Sequence, residues 1–145
     1  METQKNEIKK IISERISSIK NRDLSKATSF FSEEVISFDV LEPIQNIGID
    51  LVRSRLKDWL SSMTEIKDFE ITQEEIQATS DLAYCSSLNH IDGVKPDGTK
   101  NDMWWRETTC YKKNKGTWKI THIHASSPFS MKTGKAVIEI KPDSK

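Results

Sequence analysis

The chain has 145 residues, of which 35% are hydrophobic and 30% charged, and its 22 basic and 22 acidic side chains cancel. A chain of this length is expected to form one domain, residues 1–145, with enough apolar side chains for a packed core. The zero net charge disfavours a nucleic-acid partner, which normally requires a basic surplus. No apolar stretch approaches the roughly 18 residues of a membrane span, so no membrane partner is expected.

The polar start of the chain and its two cysteines indicate the cellular compartment in which the protein is expected. Residues 1–10 lack the apolar segment of a signal peptide. Two cysteines, Cys85 and Cys110, are too few for a disulfide scaffold. We therefore expect a cytoplasmic protein with both thiols reduced, each packed as a small core residue and neither acting as a nucleophile.

Hydrophobic spacing predicts the helices. Isoleucines recur at steps of three and four over residues 8–19, which indicates an amphipathic helix. Asp23 can cap a second, short helix over residues 24–31. A strand rich in β-branched residues follows over 35–40, and a third helix is predicted over 51–62.

From about residue 66 onward the pattern is that of β-strands. Strands are predicted over residues 66–78, 82–91, 103–112 and 117–126, with a further short strand over 136–140. Helices followed by consecutive strands are typical of the α+β class. We therefore predict three N-terminal helices packed on one bent antiparallel sheet.

Residues 104–126 have the pattern of a hairpin that sorts its side chains onto two faces. A three-residue loop, Asn114–Gly116, would place Arg106 opposite His124. Alternate residues of a strand share a face. The first face then carries Trp104, Arg106, Thr108, Cys110, Trp118, Ile120, His122, His124 and Ser126. The other face carries Trp105, Glu107, Thr109, Tyr111, Lys119, Thr121, Ile123 and Ala125.

The first face is apolar near the hairpin tip and polar at its far end, as expected of a pocket wall beneath helices. We predict that this face forms the wall of a ligand pocket. The predicted ligand-binding residues are Trp104, Arg106, Thr108, His122 and Ser126. Trp118 is expected in the core, whereas Trp105 on the other face suits a subunit interface.

His122 and His124 lie two residues apart on the predicted pocket wall, and three functional interpretations remain open. They could act as a general acid–base pair, donate hydrogen bonds to a ligand, or bind a metal together with Asp39. A purely structural role within the sheet is the alternative. We prefer ligand contact by His124 beside Arg106, without a metal, and expect His122 to be the more buried of the two.

Asp39 lies on the first predicted strand, at the expected rim of the pocket. A carboxylate in an apolar pocket can acquire a raised pKa and transfer protons. A solvent-facing or capping role is the alternative. We therefore name Asp39 and His124 as candidate catalytic residues. A buried Arg106 needs an anionic partner, which Asp39, a helix carboxylate or a ligand would supply.

The order of elements and several short motifs resemble one family. These motifs are Phe38-Asp39, Gly48 before the third helix, Trp105-Arg106-Glu107-Thr108, residues 116–120, residues 122–129, Gly134-Lys135-Ala136 and Lys141-Pro142. In them the chain is similar to the SnoaL-like, ketosteroid-isomerase-related proteins of the nuclear transport factor 2-like superfamily. The resemblance spans about the whole chain, with residues 130–145 as a C-terminal extension, and it implies a cone-shaped α+β fold.

This resemblance implies a pocket more than one particular reaction, because isomerases, dehydratases, cyclases and non-catalytic modules share the scaffold. We predict a small-molecule-binding protein that catalyses proton transfer on a small hydrophobic substrate without a cofactor. The alternative is a non-catalytic ligand-binding or dimerisation module. Many members pair through the open face of the sheet, so we expect a homodimer. Trp105, Tyr111 and Ile123, on the face predicted to lie away from the pocket, also favour one.

Overall fold

Three helices and six strands make up the computed structural model, which describes residues 2–143. In chain order they are α1 (Glu2–Lys20), α2 (Leu24–Thr28), β1 (Phe31–Phe38), β2 (Asn46–Ile47), α3 (Ile49–Ser61), β3 (Glu65–Ala78), β4 (Leu82–Val94), β5 (Lys100–Asn114) and β6 (Thr117–Ser126). The strands form one sheet in the order β2-β1-β6-β5-β4-β3. Within the described part of the chain, no helix is long and apolar enough to cross a membrane.

The sheet is mixed, which corrects the prediction of a purely antiparallel one. β1 runs parallel to β6, with Phe38 beside His124, whereas the other pairings are antiparallel. The three predicted helices are present, but α3 follows β1 and β2 in the chain, and α2 has only five residues. Parallel pairing of β1 with β6 is possible because most of the chain separates the two strands.

Side chains of all three helices enter one hydrophobic core with the sheet. Ile8, Ile12 and Ile19 of α1 are buried there, as their spacing predicts. Asp23 Oδ1 accepts the backbone N–H of Lys26 and caps α2, also as predicted. We call the sheet surface that faces the helices the inner face, and the opposite surface the outer face.

The loop between β5 and β6 is one residue shorter than predicted. It consists of Lys115 and Gly116, whose φ angles are 52° and 80°, so Asn114 pairs with Thr117. Two-residue hairpin loops with positive φ match the right-handed twist of the strands. The shorter loop shifts the predicted register by one residue.

A β-bulge in β6 shifts the register a second time. The pairing changes from Tyr111–Ile120 to Cys110–His122, so Thr121 is the extra residue. A bulge leaves one residue unpaired and interrupts the alternation of faces along the strand. In β6, even-numbered residues therefore face inward before the bulge and odd-numbered residues after it.

The shorter loop places the even-numbered residues of β5 on the outer face, and the bulge places His122, His124 and Ser126 of β6 there as well. The inner face carries Trp105, Glu107, Thr109 and Tyr111 of β5 with Trp118, Ile120, Ile123 and Ala125 of β6. The outer face carries Trp104, Arg106, Thr108, Cys110, His122, His124 and Ser126. The prediction that Trp118 lies in the core is confirmed, since that side chain is buried.

The C-terminal segment does not form the strand predicted over 136–140. A single bridge joins Ala136 to Phe129, and the backbone N–H of Trp104 donates to the Ile138 carbonyl oxygen at 2.8 Å. These backbone contacts hold the segment against β5 where β6 has already ended. The last two residues of the predicted extension, 144 and 145, lie outside the described residues.

Ile120 provides a test of the inner-face assignment. Its side chain is fully buried, so Ile120→Ala should lower the free energy of unfolding by about 2–5 kcal/mol through the cavity it leaves. The control Ile44→Ala shortens a side chain that is 93% exposed and should change that free energy by less than about 0.5 kcal/mol. Urea unfolding measures both; equal effects would contradict the assignment.

Candidate functional site

A cavity of about 440 Å³ lies between the inner face of the sheet and the helices. This volume is within the range of small-molecule pockets. Its walls are mostly apolar, and they include Leu56, Trp59, Phe69, Met103, Trp105 and Ile123. The cavity can therefore enclose a small molecule whose surface is largely hydrophobic.

Three aromatic side chains form one wall of the cavity. Trp59 of α3 meets Phe69 and Trp105 edge to face, with ring centroids 6.1 and 6.2 Å apart. Phe69 and Trp105 stack with centroids 6.1 Å apart. Contacts of this kind fix the orientation of each ring. They present flat apolar surfaces to the cavity.

A buried polar network lies on the inner face and reaches the cavity through Glu107, which is 7% exposed. Asn89 Nδ2 donates to Glu107 Oε2 at 2.9 Å, and Ser87 Oγ donates to Asn89 Oδ1 at 2.7 Å. Arg15 of α1 places Nη2 3.6 Å from the same carboxylate oxygen. We call Arg15, Ser87, Asn89 and Glu107 the floor network.

The floor network keeps Arg15 charged inside the protein. Burial would lower the pKa of the guanidinium, but the Glu107 carboxylate and Tyr111 raise it above the ordinary value. A buried ion pair has a large desolvation cost, and removing one partner leaves the other charge uncompensated. Arg15 and Glu107 therefore depend on each other.

Asp39 lies at the more exposed end of the cavity, which we call the mouth. Its side chain is 36% exposed. Its Oδ1 accepts the Val40 backbone N–H at 2.7 Å, and its Oδ2 lies 3.9 Å from Nη2 of Arg55 in α3. The mouth thus combines an accessible carboxylate with a neighbouring cation beside apolar walls.

Asp39 and Glu107 flank a small residue on the inner face. Phe38, the last residue of β1, lies beside His124 of β6, so the next residue, Asp39, lies beside Ala125. On its other side, Ala125 is paired with Glu107 of β5. Adjacent strands are roughly 4.8 Å apart, which separates the two backbone positions by about 10 Å. The methyl group of Ala125 leaves the space between the two carboxylates open.

Two nitrogen donors at the mouth have no hydrogen-bond partner among residues 2–143. They are Nδ2 of Asn46 and Nε of Arg55, and both residues line the cavity. Asn46 is paired with Ser37 across β1 and β2. Paired residues share a face, so Asn46 and Asp39 lie on the same side of the sheet.

Of the seven predicted site residues, Asp39 lines the cavity, and the other six lie on the outer face. Those six are Trp104, Arg106, Thr108, His122, His124 and Ser126. The expected pocket wall is therefore the wrong face of the hairpin, because the short loop turns the predicted β5 residues outward and the bulge does the same for those of β6. Arg106 is paired with Ser126, and His124 with Thr108.

The two histidines contact β1 on the outer face. His122 Nδ1 lies 2.8 Å from the Ile36 carbonyl oxygen, and Phe38 touches both imidazole rings edge-on. Asp39 is on the other side of the sheet, so the two-histidine, one-carboxylate metal set is not assembled. Residues 2–143 contain no group of three His, Cys, Asp or Glu side chains placed to hold a metal ion.

The structure reverses the expected positions of two neighbouring tryptophans. Trp105 lines the cavity, and Trp104 stacks on His90 outside it with ring centroids 4.3 Å apart. Tyr111 and Ile123 also lie on the inner face with Trp105. These three side chains cannot supply the subunit interface expected of them, so the homodimer stays a prediction from the family resemblance.

Both cysteines are disfavoured as nucleophiles, as the sequence predicts. Burial raises the pKa of the Cys85 thiol to about 12, and burial also raises the pKa of Cys110. The reactive form of cysteine is the thiolate. Cys85 packs in the core as predicted, whereas Cys110 is half-buried on the outer face.

Sequence reasoning did not single out four polar residues on which the proposed chemistry of the cavity depends. These are Arg15, Asn46, Arg55 and Glu107. One signal was present: Arg15 continues the buried stripe of Ile8, Ile12 and Ile19 at helical spacing, so a charge stands on an apolar face. Charged residues are rarely buried unless they are paired, and such a position therefore indicates a buried partner.

Comparisons with known proteins agree with this architecture. Residues 8–130 match the family described as the SnoaL-like domain. The chain belongs to this family. A comparison of the sequence with functionally curated proteins found no match.

Solved structures share the fold. A protein of the NTF2-like group and of unknown function from Pseudomonas putida KT2440 is 25% identical, with a TM-score of 0.88 over 98% of this chain and 99% of that one. An NTF2-like superfamily protein from Salmonella enterica is 20% identical, with a TM-score of 0.78 over 94% and 99%. A proposed dehydratase of the NTF2-like family from Streptomyces avermitilis is 15% identical, with a TM-score of 0.78 over 90% and 100%.

Removing one partner of the buried ion pair should be costly. Arg15→Leu leaves the Glu107 carboxylate uncompensated, so the free energy of unfolding should fall by about 3–5 kcal/mol. The control Arg53→Leu breaks an ion pair with Asp50, whose side chain is 95% exposed, and should change it by about 1 kcal/mol or less. Urea unfolding compares them; similar losses would show that the Arg15 pair is not effectively buried.

His90 forms a separate charged cluster on the outer face. Its Nδ1 lies 3.1 Å from Glu70 Oε1, and its Nε2 lies 2.6 Å from Asp102 Oδ1. Burial would lower the pKa of His90, but the hydrogen bonds to Asp102 and Glu70 raise it above the ordinary value. The protonated ring of His90 in β4 therefore links Glu70 of β3 to Asp102 of β5.

This cluster predicts a pH dependence of stability. The cluster contributes fully to the free energy of unfolding below the unfolded-state pKa of His90, about 6.5. This contribution is lost as the pH rises through the higher pKa of His90 in the folded state. The free energy of unfolding of the parent protein should therefore decrease from about pH 6 to about pH 8. His90→Gln should reduce this slope, and His124→Gln, at an exposed site, should retain it. Equal slopes in the two variants would contradict the assignment.

Proposed function

We propose that this chain binds a small, largely apolar molecule in the cavity and catalyses proton transfer on it through Asp39. The observation that carries the proposal is a partly open carboxylate at the mouth of a 440 Å³ cavity with mostly apolar walls. Pockets that combine apolar walls with a few polar groups are typical ligand sites. A positioned carboxylate can take or give a proton at a reacting atom.

Each part of the cavity has a role in this proposal. The rings of Trp59 and Trp105 hold the apolar body of the ligand and exclude water. Asp39 exchanges a proton with the ligand, and Arg55 stabilises the carboxylate when it is charged. Glu107 offers a second carboxylate across Ala125, fixed by its partners in the floor network.

At 15% identity, the likeness to a proposed dehydratase shows the fold alone, so the proposal rests on the cavity and on Asp39. The alternative is a non-catalytic ligand-binding or dimerisation module. In that case Asp39 only positions Arg55, with its Oδ2 3.9 Å from the guanidinium. Ligand binding would then survive loss of the carboxylate, and proton transfer would be absent from the parent protein.

Ligand occupancy is tested by filling the cavity. The parent protein should bind the bicyclic hydrocarbon tetralin, followed by saturation-transfer NMR. Ala125→Phe places a ring between the carboxylates and should abolish the signal, whereas His124→Phe, one residue away on the outer face, should preserve it. Melting temperatures of both variants check folding. Tetralin binding that survives Ala125→Phe in a folded protein would contradict the location.

Proton transfer is tested with α-tetralone, the ketone of tetralin, in D₂O. Asp39 should take a proton from the carbon next to the carbonyl, and the deuterated carboxyl group should return a deuteron after exchange with solvent. Asp39→Asn should lower the exchange rate at least about a hundredfold. The control His124→Ala should leave the rate unchanged. No exchange by the parent protein that binds the ketone would favour the non-catalytic alternative.

A further inference from the structure

We infer that Asn46 and Arg55 form a binding site for a carbonyl oxygen at the mouth of the cavity. The inference rests on the proposed function, because it concerns the same ligand in the same cavity. It assigns the chemical group by which the mouth recognises that ligand. It goes further in naming an acceptor oxygen as the recognised group and two side-chain nitrogens as its donors.

The first observation is the pair of unsatisfied donors. Asn46 is 2% exposed, and neither its Nδ2 nor Nε of Arg55 has a hydrogen-bond partner in the described part of the chain. Most buried polar groups in folded proteins are hydrogen-bonded. Leaving a donor unsatisfied costs free energy that a bound acceptor would recover. Two such donors in one cavity indicate a shared acceptor supplied by a ligand.

The second observation is the placement of these donors beside Asp39. Ser37 and Asp39 alternate at the end of β1, so both face inward, and Asn46 is paired with Ser37. Arg55 reaches the same place from α3, where its Nη2 lies 3.9 Å from Asp39. Arg55 therefore lies beside the carboxylate that we propose as the proton acceptor, and Asn46 is its diagonal neighbour across the strands, about 7–8 Å away.

The chemistry of the mouth favours a neutral carbonyl group. A carbonyl oxygen has two lone pairs and can accept one hydrogen bond from each nitrogen. The donor from Arg55 is charged, which strengthens its hydrogen bond. A ligand carboxylate would be repelled by Asp39 beside it, whereas a carbonyl group carries no net charge. The adjacent carbon would then lie near Asp39, where its proton can be removed.

The proposal includes a small movement of the rim, residues 39–45. Both nitrogens are covered by protein atoms. Residues 39–45 contain no helix or strand, and Leu41 within them lines the cavity while being 63% exposed. Displacement of the rim side chains that follow Asp39 opens the path to the two donors, while Asp39 itself stays in place.

The experiment compares α-tetralone with tetralin, which differ in one carbonyl oxygen, by NMR titration of the full chain. The parent protein should bind the ketone at least about tenfold more tightly, the effect expected of hydrogen bonds to a charged donor. Asn46→Leu and Arg55→Met should each reduce this preference severalfold while tetralin affinity stays unchanged. The control Arg53→Met, on the exposed side of α3, should retain the preference.

The melting temperature of Asn46→Leu provides an independent readout. If the Asn46 amide has no partner in the free protein, its replacement should leave the melting temperature unchanged or raise it. A clear decrease would show that Asn46 is paired internally, for example with its Oδ1 accepting from Arg55 Nε, and would overturn the inference. Arg55→Met tests the same ketone preference in case Asn46→Leu does not fold.

The outcomes separate the inference from the proposed function. Equal affinities of the parent protein for ketone and hydrocarbon would overturn the carbonyl site and leave the apolar cavity as a ligand site. Absence of binding by both compounds would overturn the proposed function and the inference with it. A ketone preference that persists in both Asn46→Leu and Arg55→Met would place the recognition elsewhere.

Discussion

The buried ion pair between Arg15 and Glu107 is the constraint on which the cavity depends. It joins α1 to β5 across the inner face, and Asn89 holds the carboxylate from β4. Removing either charge would leave the other uncompensated, so both side chains must stay in place. The ion pair therefore fixes the position of α1 against β5 at this end of the cavity. The cavity is lined by apolar side chains and is large enough for a small molecule.

The cavity has two polar regions with different properties. The floor network is buried and internally paired, so Glu107 is fixed in place. The mouth contains the more exposed Asp39, whereas its donors Asn46 Nδ2 and Arg55 Nε are covered by protein atoms and lack partners within residues 2–143. Preorganised groups serve stability and orientation, whereas unpaired donors can bind a ligand once the rim side chains move. The apolar walls between these regions suit a molecule with a hydrophobic body and a polar group at the mouth.

Hydrophobic spacing and turn residues sufficed to predict the helices, the main strands and the cap at Asp23. They failed for the faces of the β5–β6 hairpin, because a two-residue loop and a bulge at Thr121 each shift the register by one residue. Asp39 was placed correctly at the cavity because it follows β1 directly. Asn46 and Arg55 could not be predicted, since their proximity to Asp39 depends on how β2 and α3 pack on β1.

The most direct test of the inner-face site uses the four tryptophan indole N–H signals in a ¹⁵N NMR spectrum. Titration with α-tetralone should shift the signals of Trp59 and Trp105, which line the cavity. The signals of Trp104 on the outer face and Trp118 in the core should stay in place. Single Trp→Phe variants assign each signal. A shift confined to Trp104 would place the ligand on the outer face and contradict the account.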